Sequence, residues 1–141
     1  MRNWLFGLLL IFVSLIFSAD AQTCALSINT STTGVLFGLV DMEGTSAVNS
    51  TRVMNTGEAT ADLSISGVDW SDGTHTMPVG QTRWSSSWSD YDSATALTNA
   101  LAQVTPLLGA GSFQEVFLAV RVPAGQYAST YSQTITFTLE C

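Results

Sequence analysis

Apolar residues recur at every second position in several short runs, and this period constrains the fold more than any other feature. Val116, Leu118, Val120 and Val122 share one parity, as do Ile135, Phe137, Leu139 and Cys141. Shorter runs at Leu63 and Ile65, and at Cys24, Leu26 and Ile28, follow the same rule. Side chains alternate between the two faces of a strand, so each run presents one apolar face. Strands are expected over 24–28, 35–40, 48–54, 61–65, 116–122 and 131–141, with an edge-like piece at Met77-Pro78-Val79. Turn signals separate them at Asp41-Met42-Glu43-Gly44, Asn55-Thr56-Gly57, Asp72-Gly73, Gly109 to Gly111 and Pro123-Ala124-Gly125. Asn-x-Gly suits left-handed turn residues, and Gly67 allows a bulge. Leu97, Leu101 and Leu108 fit helical spacing, but Pro106 limits any helix there to a turn or two. About seven or eight short strands with regular turns predict an all-β chain, a single antiparallel sandwich of Ig-like or jelly-roll-like type.

The N-terminus carries an export signal. Arg2 precedes an apolar stretch over 5–17, within the roughly 7–15 residues of a signal-peptide core and short of the ~18–20 that span a bilayer. Ala19-Asp20-Ala21 is an A-x-A cleavage site. The expectation is a signal peptide over 1–21 and one secreted domain over 22–141, acting outside the cell or on its surface and not in a membrane once the leader is removed. That domain keeps Arg52, Arg83 and Arg121 as its only cations, and the full chain carries a net charge of −7 with no lysine. A nucleic-acid partner is excluded on this ground, because phosphate binding needs a positive footprint. Anionic membrane surfaces are disfavoured for the same reason.

Cys24 and Cys141 are the only cysteines, and both pass to an oxidising compartment. A disulfide is therefore expected. Each cysteine lies on the apolar face of a terminal strand. The bond forms within the chain if those strands meet. It forms between chains if the fold separates its termini.

No catalytic apparatus is apparent, and neither enzymatic activity nor a cofactor is expected. His75 is the only histidine and sits in a turn sequence, with no nucleophile-elbow motif in the chain. Asp69, Asp72, Asp90 and Asp92 are weak candidates for Ca²⁺ ligands, since their spacing does not match an EF-hand and turn-forming aspartate accounts for them equally well. Trp70, Trp84, Trp88 and Tyr91 cluster in a Ser-rich region. They suit three roles: core filling, a subunit contact through Trp84, Trp88 and Tyr91, or a carbohydrate-stacking loop over 84–92. Asn29-Thr30-Ser31 and Asn49-Ser50-Thr51 are glycosylation sequons.

Val53-Met54-Asn55-Thr56-Gly57-Glu58-Ala59-Thr60-Ala61-Asp62-Leu63-Ser64-Ile65 resembles the strand–turn–strand unit of Ig-like modules in prokaryotic, especially archaeal, surface proteins. Val120-Arg121-Val122-Pro123-Ala124-Gly125 followed by Tyr131-Ser132-Gln133-Thr134-Ile135-Thr136-Phe137 is similar to their closing hairpin, and Leu36-Phe37-Gly38-Leu39-Val40-Asp41 to their opening segment. A single module behind a signal peptide resembles the subunits of extracellular filaments related to the fibre protein TasA. Spore-coat-U-like pilins are a second, weaker match. The resemblance implies a filament or pilus of identical subunits joined by donor-strand exchange, with Cys24, Leu26 and Ile28 on the donated strand. The alternative is a secreted adhesin-like module that binds carbohydrate or protein through the aromatic loop.

Overall fold

A computed structural model describes residues 24–29, 35–88 and 90–141. Residues 1–21, expected as a signal peptide, and positions 30 and 31 of the first sequon lie outside them, as do the side chains of Ile28 and Asn29. The chain is all-β, and its sheets are antiparallel throughout. In order, the strands are β1 (Leu26–Asn29), β2 (Asn49–Asn55), β3 (Ala61–Gly67), β4 (Trp70–Ser71), β5 (Thr76–Met77), β6 (Thr82–Ser85), β7 (Thr95–Ala96), β8 (Ala102–Leu108), β9 (Phe113–Val120) and β10 (Ile135–Glu140). One sheet has the order β1-β2-β9-β6-β7, the second β10-β3-β8, and β4 and β5 form a separate hairpin.

The two larger sheets pack face to face. β3 buries every second residue, and Leu63 and Ile65 are fully enclosed. Ile65 meets Trp84, Val116 and Leu118 of the opposite sheet, with Phe137 of β10 against the same cluster. A second cluster joins Val53, Leu63 and Leu108, and a third joins Trp70, Met77 and Val120 at the far end. The period-two runs thus face inward as their spacing requires.

Cys24 and Cys141 are bonded within the chain, with Cα atoms 5.9 Å apart. The alternative of a bond between chains is not the one the structure has. β1 and β10 are edge strands of different sheets, and the disulfide staples these two edges at one side of the sandwich. β1 itself pairs with β2, Leu26 opposite Asn55.

Asn55 organises the same end. It is fully buried, and its amide nitrogen donates to Ala59 O at 2.7 Å and Leu108 O at 2.8 Å. Its side-chain oxygen accepts the Gly57 N–H at 3.0 Å. The turn after β2 is therefore held by a side chain. Gly57 does not adopt the positive φ expected of it; left-handed residues lie elsewhere, at Gly38, Glu43, Gly73, Leu107, Gly111 and Gly125.

Three other expectations are corrected. Residues 35–40 form no strand. Phe37 and Val40 turn toward the core, but they are three positions apart with Gly38 at φ 71° between them, so the two-residue period is broken. No helix forms over 94–104: Leu97 is buried while Leu101 is exposed, and β8 begins at Ala102. Pro106 is accommodated because β8 is an edge strand, where a missing N–H breaks no ladder. Gly67 is not a bulge but a close approach, since a Cβ there would lie 2.5 Å from Leu97 Cδ2. The irregularity sits instead between Ala61 and Ser64 against β8.

Replacing both cysteines by serine is expected to lower the unfolding free energy by about 5 kcal/mol, the chain-entropy value for a loop this long. Chemical unfolding of the wild type and the double variant measures it. A loss below about 1 kcal/mol would show that the sheet edges stay closed without the bond.

Candidate functional site

The end of the sandwich opposite the disulfide carries an apolar cleft of about 420 Å³, lined by Phe37, Trp70, Met77, Val120, Tyr127 and Tyr131 among others. Trp70, one of its lining residues, is anchored by a polar chain. Trp70 Nε1 donates to Thr82 Oγ1 at 2.8 Å, and Thr82 donates in turn to Gln133 Oε1 at 2.7 Å. Gln133 Nε2 closes the chain on Val68 O at 2.7 Å. With its N–H satisfied, the Trp70 ring is free to pack edge-on against Phe37, centroids 5.8 Å apart.

One wall is the loop between β9 and β10. Gln126 Nε2 donates to Tyr131 Oη at 2.7 Å and to Thr76 O at 3.2 Å, and Tyr131 Oη donates to Tyr127 O at 3.0 Å. Tyr127 stacks on His75 at 4.2 Å, nearly parallel. Asp72 holds that histidine: its carboxylate accepts the backbone N–H groups of Thr74 and His75 and lies 3.0 Å from His75 Nδ1. The His75 N–H, then its ring, then the Thr74 N–H keep the Asp72 carboxyl well below the usual range. No serine hydroxyl bonds to His75 among the described residues. This pair pins the loop between β4 and β5.

The other wall is residues 35–42. Asn49 Nδ2 donates to Leu36 O at 2.9 Å. This is the nitrogen the second sequon would modify, and Thr51 of that sequon is buried. Leu36 is 76% exposed, and Leu39 and Met42 also point into solvent. Among the described residues this segment has no strand partner.

The remaining candidates are dispersed. Asp69 accepts the Val79 N–H at 2.8 Å, and Asp90 accepts the Ser93 N–H at 2.8 Å. Asp92 pairs with Arg121 at 2.8 Å, which lowers the carboxyl and raises the guanidinium. Among the described residues no group of three or more His, Cys, Asp or Glu is placed to hold a metal. Trp84 and Tyr91 are buried, so two of the three aromatics expected at a contact surface belong to the interior; Trp88 is half-buried. Tyr91 lies under both Arg83 and Arg121 and donates to Gln81 O at 2.7 Å, with burial raising its pKa.

Sequence reasoning missed Gln126, Tyr127 and Tyr131 as one wall of a cleft. The only available signal was aromatic residues interrupting a polar loop. No protein-family model and no curated protein matches the chain.

Because the folded Asp72 carboxyl titrates below its unfolded value of about 3.9, its stabilisation is present above that value and lost as pH falls through the folded pKa. Asp72→Asn should melt below wild type at pH 7, with the gap narrowing below about pH 4. Melting curves that stay equally separated from pH 7 to pH 2 would contradict this.

Proposed function

We propose that the chain is an exported, non-enzymatic structural subunit of an extracellular filament on the cell surface, assembling with identical copies by β-strand addition. The observation that carries this reading is residues 35–40. They are an uncharged, apolar stretch of strand length, exposed at Leu36 and Leu39 and without a ladder partner among the described residues. Joining a sheet edge would give this segment main-chain hydrogen bonds once the left-handed Gly38 between Phe37 and Val40 straightens to extended backbone. β10 offers such an edge: six residues, regular against β3, with no register shift.

The leader with its A-x-A site supports export, and the resemblance to TasA-related filament subunits supports the assembly. The first strand is less suited to donation than residues 35–40. It is paired to β2, and leaving its own chain would require the Cys24–Cys141 bond to open. The carbohydrate reading of loop 84–92 is weakened by the burial of Trp84 and Tyr91.

Electron microscopy of the purified mature protein over a concentration series tests the proposal. Fibres are expected from the wild type. Leu36→Ser combined with Leu39→Ser should abolish them with little change in melting temperature, since both side chains are already in water. A wild type that stays monodisperse and monomeric throughout would overturn it.

A further inference from the structure

Outside residues 35–40, the exposed apolar residues beside β2 and β9 fall at opposite ends of the first sheet. At one end, Met42 lies in the turn Asp41-Met42-Glu43-Gly44, which is closed by Gly44 N–H on Asp41 O at 2.9 Å. The turn sits at the C-terminal end of β9, because Val122 N–H bonds Gly44 O at 3.0 Å. Asp41 and Glu43 flank Met42 and are exposed. At the other end, Met54 and Phe113 are register partners and both exposed. The two ends are roughly 30 Å apart, the rise of the nine residues from Phe113 to Val122.

Arg52 marks the second end. Its guanidinium lies 4.7 Å from the Phe113 centroid, and it forms no hydrogen bond or ion pair among the described residues. Arg83 and Arg121, by contrast, are engaged with the Tyr91–Ala94 loop. Glu115, opposite Arg52 on β9, keeps its charge and accepts the Ser50 hydroxyl at 2.8 Å, making no ion pair with Arg52 among the described residues. In a chain with net charge −7, a guanidinium lying on an exposed apolar patch and free of any ion pair among the described residues suits an acidic pair on an apolar turn.

Resting on the filament reading, we infer that a second copy of this chain docks head to tail. The Asp41–Glu43 turn of one subunit meets the Arg52–Phe113 patch of the next. Because the two patches differ and lie at opposite ends, the contact is heterologous, and it propagates as an open row unless its rotation closes a ring. Opposite charges then set the polarity and register of the row, while like ends repel.

Charge reversal tests this. Arg52→Glu and Glu43→Arg, each alone, should raise the critical concentration for assembly roughly tenfold or more. An equimolar mixture of the two variants should restore assembly, as should the double variant, because every contact then again pairs opposite charges. Circular dichroism melts of each variant establish that it is folded. If wild type assembles and both folded single variants assemble equally well, the inference fails while the filament reading stands. Failure of the mixture and of the double variant to recover also overturns it. If wild type does not assemble at all, the filament reading itself fails.

Discussion

The Cys24–Cys141 bond is the constraint on which the rest of the architecture depends. Two antiparallel sheets buried on one face must be joined at their edges, and here the first strand of one and the last strand of the other are stapled directly. The bond closes nearly the whole described chain into one loop, which restricts the unfolded ensemble most strongly. It also fixes what can happen to β1, which is tied at its start to β10 and along its length to β2. A strand held in this way belongs to its own module, which is why the proposed contacts with other copies are placed on other surfaces.

Two buried polar nodes set the register that the disulfide cannot. Near the bond, Asn55 satisfies its amide entirely within the fold and so links the turn after β2 to the end of β8. At the distant end, the chain from Trp70 through Thr82 to Gln133 ties the β4–β5 hairpin, β6 and the approach to β10. Buried amides and hydroxyls are costly unless bonded, so each node specifies one arrangement of the elements around it. Between the nodes the core is apolar. The cleft opens where the sheet gives way to loops and the aromatic packing of Phe37 on Trp70 thins toward solvent.

Most of the strands were legible because their signal is local. The alternation of β3, β9 and β10 is written in the residues themselves, and Cys24 and Cys141 meet as a bonded pair just outside the terminal strands, both exposed. What was not legible depended on partners far apart in sequence. Residues 35–40 are apolar and β-prone, yet Gly38 turns the backbone between Phe37 and Val40. Leu97 and Leu101 mimic a helical face, but the Cβ-free surface of Gly67 draws Leu97 alone into the core. For Trp84 and Tyr91 the sequence left core filling, a subunit contact and a carbohydrate-stacking loop open. Trp84 is buried in the core with Ile65, Leu97, Val116 and Leu118, whereas Arg83 and Arg121 cover the Tyr91 ring. The wall made by Gln126, Tyr127 and Tyr131 could not be foreseen, since its contacts reach across to the β4–β5 hairpin.

In the proposed filament each subunit is a module closed on itself, joined to its neighbours through exposed segments and side chains and not by exchange of the first strand. Non-reducing gel electrophoresis of assembled material, with free thiols blocked before denaturation, tests this most directly. The account predicts a single compact monomer band that shifts on reduction and contains no blocked thiol. A ladder of covalent oligomers would contradict it, because Cys24 of one subunit would then be bonded to Cys141 of another.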